Sequence, residues 1–252
     1  MKHFFRSHTL LFLIFSGINI FGQYSEIIKK LNAYDVKQYL FDVEVSHLNP
    51  KINGYVEILV EMLIQDQDTI VLELTDNAVI DSILIDSVPA SFEHTNNLIF
   101  IKTDQPFPAR SLLALRVYYS AERVSEIRNR GISTQMTESG KSVSWTLSEP
   151  FYSRNWFPCK QVLDDKADSL LLKFTCDDSV MVGSNGLLMA VNNLSEGKKQ
   201  YVWESHYPVA YYLISFAVAD YMDYSFYTKL GEYDSLLVQN FIYDDSVVFH
   251  TN

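Results

Sequence analysis

Glycine and proline are scarce, nine and seven among 252 residues, which excludes a collagen-like, linker-rich or low-complexity chain. Two cysteines, Cys159 and Cys176, cannot build a disulfide-dense scaffold, and with no histidine near either they do not make a zinc site. Lys and Arg total 20 against 31 Asp and Glu, a formal net charge of −11. That balance removes nucleic acid as a partner, because phosphate binding needs a basic surface. Past the N-terminal segment no apolar run reaches about 18 residues, so nothing there reads as an integral membrane segment. There is no H-E-x-x-H, no G-x-S-x-G, no phosphate loop and no dinucleotide glycine pattern. The six histidines, His3, His8, His47, His94, His206 and His250, show no metal-ligand spacing, and each reads as a surface or strand-end imidazole or as part of the N-terminal segment. The residues on their own define no catalytic group and no metal ligand.

What is present is a chain able to bury a core. Apolar residues make up 48% and charged residues 20%, and Tyr and Phe number 16 each, a balance that favours sheet. Lys2 and Arg6 precede the apolar run Leu10 to Ile18, and Ile20-Phe21-Gly22 offers a small residue before Gln23. This pattern predicts a signal peptide over residues 1–22 and an exported protein, periplasmic, cell-surface or secreted; a buried N-terminal helix is the competing reading. In an exported protein the two cysteines either form a bridge or remain buried free thiols.

After the leader, Ser25 to Leu31 places Ile27, Ile28 and Leu31 on one helical face. From Tyr34 the period becomes two. Tyr39, Phe41, Val43 and Val45 alternate with polar neighbours, Asn49-Pro50 turns the chain, and Val56, Ile58, Val60 and Met62 repeat the alternation. Short strands are expected at 69–74, 83–86, 97–102, 112–119, 142–147, 170–176, 180–191, 200–204, 212–218 and 236–243. Gly183-Ser184-Asn185-Gly186 interrupts one of them with a turn or bulge, Leu163 to Ser169 reads as one helical turn, and Glu122 to Arg130 as an irregular charged loop. Many short strands with almost no helical period imply an all-β sandwich or curved multi-sheet domain.

The most informative stretch is WTLSEPFYSRNWFPCK, Trp145 to Lys160. The doublets Asp164-Asp165, Asp177-Asp178 and Asp244-Asp245 read as solvated turn residues or caps. Glu149 differs, since it ends a hydrophobic strand before Pro150 and precedes Arg154 and two aromatics. Its carboxylate either receives an external cation through a charge-assisted hydrogen bond, or forms an internal ion pair with Arg154.

In order along the chain, YDVKQYLFDVEV, NGYVEILVEM, GISTQMTESGKSVSWTLSEPFYSRNWFPCK, SNGLL and YPVAYYLISFAVADY together resemble the N-terminal domain of the aminopeptidase N family of zinc metallopeptidases. The resemblance spans Tyr34 to Tyr243 and implies an all-β, saddle-like multi-stranded domain over residues 23–243, with 244–252 opening the connection to a catalytic domain. It places Glu149 at the family position that holds the α-amine of a peptide substrate. Where the family often has glutamine, Leu147 leaves that pocket wall apolar. After Pro158-Cys159 the family's acidic-proline continuation is replaced by KQVLDDKADS, the mark of a distinct subgroup.

The zinc of the complete family enzyme, with its H-E-x-x-H, would lie in the following domain, so the resemblance implies no catalytic residue, metal ligand or cofactor in this chain. The expected partners are the N-terminus of a peptide substrate and the missing catalytic domain. The surface facing that domain, near Glu149, Phe151, Tyr152 and Trp156, is then expected to be uncovered. Two alternatives stand beside this reading: a stand-alone secreted β-sandwich that binds peptides or proteins without enzymatic activity, and a structural β-sandwich whose likeness is architectural only.

Overall fold

The computed structural model describes residues 25–122, 130–231 and 234–243. The leader at 1–22, the 244–252 connection with Asp244-Asp245, and all but the ends of the Glu122–Arg130 loop lie outside the described residues.

Residues 25–31 form a short helix closed by the Asn32 N–H donating to the Ile28 carbonyl at 2.9 Å. Leu31 is buried while Ile28 stays exposed, so only part of the expected apolar face is used. Tyr34–Val45 and Lys51–Met62 then pair antiparallel, each with an alternating buried face. Tyr39, Phe41, Val43, Val56, Ile58 and Val60 are the inward residues, as the period of two requires. Eight strands make the main sheet, in the spatial order Leu187–Asn193, Lys198–Ser205, Ser169–Asp177, Tyr34–Val45, Lys51–Met62, Leu112–Glu122, Val79–Ile85 and Val88–Pro89. Ser169–Asp177 runs parallel to Tyr34–Val45, and the remaining neighbours are antiparallel.

Two further sheets cover this one. Gln67–Glu73, Leu98–Phe107 and Ser91–Thr95 form the first. The second orders Met181–Ser184, Phe216–Ala219, Ser142–Leu147 and Gly131–Met136. The chain is all-β with one large curved sheet, as the patterning predicts. The turn at Gly183–Gly186 proves to be the point where the chain changes sheets. Met181–Ser184 belongs to the four-stranded sheet and Leu187–Asn193 to the main one. Gly186 has φ +93°, and a Cβ there would lie 2.1 Å from the Glu204 carbonyl oxygen, so only glycine makes this crossing without displacement.

The structure departs from the sequence reading at Leu163 to Ser169, which is not helical. A turn at 163–164 leads to Lys166–Ala167, a short strand paired with Val209–Ala210. The cause is local. The Asp168 N–H donates to the Lys37 carbonyl at 2.9 Å, and the Val36 N–H donates to Asp165 Oδ1 at 3.4 Å. The segment thus answers the backbone of Tyr34–Val45, where a register shift between Val36 and Gln38 interrupts regular pairing. Asp165 is accordingly no solvated turn residue. Its side chain is 6% exposed and ion-paired with Lys160, itself 5% exposed, whose Nζ also donates to the Tyr34 carbonyl and lies 4.7 Å from the Tyr34 ring centroid. Burial pushes the Asp165 carboxyl up, against the opposing pull of the Lys160 ammonium.

Candidate functional site

The Trp145–Lys160 block is tied into the core by its aromatic pair and its polar residues. Trp156 and Phe157 are fully buried, with ring centroids 5.5 and 5.1 Å from Phe41. Such ring contacts contribute about 0.5–1.5 kcal/mol each beyond their buried area. On the Ser142–Leu147 strand the even-numbered side chains turn inward. Ser144 Oγ lies 2.6 Å from Thr134 Oγ1, Thr146 Oγ1 accepts from the Phe216 N–H at 3.0 Å, and just past the strand Ser148 Oγ accepts from the Trp156 indole at 2.9 Å. Trp145 and Leu147 therefore share the outer face, and Glu149 stands exposed in the turn two residues past the strand's end.

Beyond Leu147 the chain turns through a cis Glu149–Pro150 peptide into a 3₁₀ turn at Ser153–Asn155. The Tyr152 N–H donates to the Ser148 carbonyl at 2.9 Å, and the Tyr211 hydroxyl donates to the Pro150 carbonyl at 2.7 Å. Beside it, Gly131 has φ +85°, and a Cβ there would stand 2.7 Å from Asn155 Cβ. A glycine is what lets the neighbouring strand start against this turn.

Arg154 has a carboxylate partner, but it is not Glu149. Its Nη1 donates to Glu73 Oε2 at 3.0 Å, and Gln161 Nε2 donates to the same oxygen at 2.9 Å. The Thr75 N–H donates to the Arg154 carbonyl at 2.8 Å, and Glu73 and Cys159 exchange both backbone hydrogen bonds. The internal-pair alternative for Glu149 is thus overturned in favour of Glu73. Nothing local in the sequence marked Glu73, which lies 81 positions away on a strand of another sheet.

Glu149 itself is exposed and makes no hydrogen bond or ion pair with any described residue. Leu147 is 38% exposed and Phe151 46%, while Tyr152 is half-buried under the Arg130 guanidinium, 4.9 Å from its ring centroid. Of the four residues expected on an uncovered surface, Glu149 and Phe151 are exposed and Tyr152 is half-buried. Trp156 does not belong to it, because its ring completes the core cluster around Phe41. Cys159 and Cys176 are free and buried, so no bridge joins them. Burial pushes the Cys159 thiol up and the Cys176 thiol up to about 12. Both are inert as nucleophiles at neutral pH.

No group of three or more His, Cys, Asp or Glu that could hold a metal ion occurs among the described residues. His94 lies 3.0 Å from the Leu74 carbonyl oxygen, and exposed His206 lies 3.2 Å from Glu204.

The sequence profile of the Peptidase M1 N-terminal domain matches residues 32–213. No curated protein matches the chain. Among solved structures, a mutant M1 zinc metallopeptidase from Deinococcus radiodurans is similar, with TM-score 0.71 at 20% identity over 83% of this chain and 47% of that one. The same peptidase mutant bound to a Tyr-Ser-Ala substrate gives TM-score 0.69 at 21% identity, covering 82% of this chain and 46% of that one. Yeast LTA4 hydrolase in complex with bestatin gives 0.62 at 17% identity, covering 76% and 29%. The chain spans about half the length of the Deinococcus enzyme, and at these identities the likeness is one of fold. Fold and profile agree: the chain belongs to the Peptidase M1 N-terminal domain family.

Proposed function

We propose that this chain is the non-catalytic, amine-anchoring part of an exported zinc aminopeptidase, with Glu149 receiving the α-ammonium of a peptide and Leu147 forming an apolar wall beside it. One observation carries the reading. Glu149 is an exposed carboxylate that pairs with none of the described residues, on a turn whose backbone is fixed by Tyr211, Ser148 and the Arg154–Glu73–Gln161 cluster. A carboxylate held in place yet left unpaired is pre-organised for a cation from outside. Such charge-assisted hydrogen bonds contribute about 1.5–3 kcal/mol.

Among the described residues no donor set fits the zinc that the relatives' names carry. When bound in a complete family enzyme, the metal supplies a polarised water and carbonyl. The task of Glu149 is to fix the peptide's amino end against a zinc-carrying domain supplied by the partner half. The basic start and short apolar run of residues 1–22 support export.

Metal analysis of the purified, dialysed chain, together with an aminoacyl-anilide assay, tests the division of labour. Absence of both stoichiometric zinc and turnover is the expected result. One tightly held zinc per chain, with turnover that chelators abolish, would overturn it.

A further inference from the structure

The strand face that leads to the Glu149 turn also carries a slot. Trp145 is in register with Ala217, and Ala217 with Gly183, so two residues with almost no side chain lie in one row beside the indole. Tyr221 and Phe241 line the same cavity of about 380 Å³, stacked on each other with centroids 6.3 Å apart, and Phe241 is backed by the Trp203 ring at 6.2 Å. The floor is thus small and the walls are aromatic.

Two polar side chains at the rim, Ser184 and Asn185, are already engaged. Ser184 Oγ donates to the Ser215 carbonyl at 2.7 Å, Asn185 Nδ2 to the Leu213 carbonyl at 2.9 Å, and the Ser215 N–H to Asn185 Oδ1 at 2.8 Å. Among the described residues no charged side chain lines the slot. What fits there is a flat apolar group with no hydrogen-bonding demand of its own.

The strand links this slot to the anchor. Trp145 and Leu147 share one face of the strand and Glu149 opens the turn two residues past its end, so at the extended step per residue the four positions span at most about 13 Å. An extended peptide advances by the same step per residue. We propose that the Trp145 slot is a side-chain subsite for an aromatic residue of a peptide lying along this strand, at the fourth or fifth position when its amine rests on Glu149. The register rests on the Glu149 reading, whereas the slot's chemistry does not.

Trp145 lines the slot and Trp203 backs its Phe241 wall, so tryptophan emission reports on its occupancy. The test titrates the intact chain with pentapeptides carrying phenylalanine or alanine at positions four and five, each with a free and an acetylated amine, following tryptophan emission. Phenylalanine peptides should bind about tenfold or more tightly than their alanine counterparts, with a change in emission. Gly183→Leu, whose Cβ meets only the Phe241 ring edge at 3.4 Å, should fill the slot and abolish that preference. Ala217→Leu provides a second block should the first variant fail to fold.

Equal affinity for phenylalanine and alanine peptides, a preference that survives both blocks, or binding without any response of tryptophan emission would each overturn the proposal. So would absence of peptide binding, which would leave the slot to a protein anchor. The acetylated arm separates the two claims. Loss on acetylation without a phenylalanine preference sinks the slot and keeps the anchor; the converse keeps the slot and sinks the anchor.

Discussion

Removing the Glu73 carboxylate should loosen the turn that presents Glu149. In Glu73→Ala two donors lose one shared acceptor, Arg154 Nη1 at 3.0 Å and Gln161 Nε2 at 2.9 Å. Gln161 is only 8% exposed, so its stranded donor costs about 1–3 kcal/mol. The Arg154 side chain is 38% exposed and can rehydrate, which limits its share to about 0–1 kcal/mol. A total of about 1–4 kcal/mol corresponds to a fall in Tm of about 2–16 °C for a domain of this size. Glu149→Ala, which removes no hydrogen bond or ion pair to a described residue, should stay within about 0.5 kcal/mol. Thermal melts of the two variants beside the parent chain provide the assay. A Glu149→Ala melt as low as that of Glu73→Ala would refute this, because Glu149 would then be the structural carboxylate.

Other outcomes follow from the buried groups. Neither thiol should react with a disulfide reagent in the folded chain, and both should react once it is unfolded in denaturant; one fast native thiol would contradict the burial of Cys159 and Cys176. Lys160→Met leaves the Asp165 carboxylate buried without its cation and should cost about 3–5 kcal/mol at neutral pH, whereas Lys160→Met with Asp165→Leu should recover most of the loss. The Asp165 carboxyl already titrates above its unfolded value, so the fold takes up a proton before the unfolded chain does. The Lys160→Met defect should therefore shrink as pH falls towards that of an ordinary aspartate, and urea midpoints that fall in parallel for both chains would contradict this. Gly131→Ala meets Asn155 at 2.7 Å with φ +85° and should lose about 1–3 kcal/mol in a melt, an unchanged midpoint counting against so close an approach.

Much of this fold is legible in the sequence because its main strands bury one face each. Tyr39, Phe41, Val43 and Val56, Ile58, Val60 announce themselves by alternation, and the structure buries all six. Gly131–Met136 escapes that signal, since GISTQM carries small and polar residues on an edge strand. Phe226–Leu230 escapes it because all five of its residues stand exposed, leaving no buried face to set a period, whereas its partner Asp234–Val238 overlaps the strand expected at 236–243. Leu163 to Ser169 misleads for another reason: a helical spacing of Leu163 and Ala167 is overridden by backbone groups of Val36 and Lys37 that lie over 120 positions away. At the site, the motif located the Glu149 turn, but the partner of Arg154 comes from another sheet and no local pattern encodes it.

What Glu149 holds can be reached directly by one measurement. In a full-length enzyme joining this chain to a zinc-carrying half, Glu149→Ala should lower kcat/KM for free-amine peptides by roughly thirtyfold to a thousandfold, on the order of 2–4 kcal/mol. Inhibition constants of the matching N-acetylated peptides should barely move, and neither should the melting temperature. Equal losses for free and acetylated peptides, accompanied by a destabilised protein, would show that Glu149 is a structural carboxylate and not the anchor of the peptide's amine.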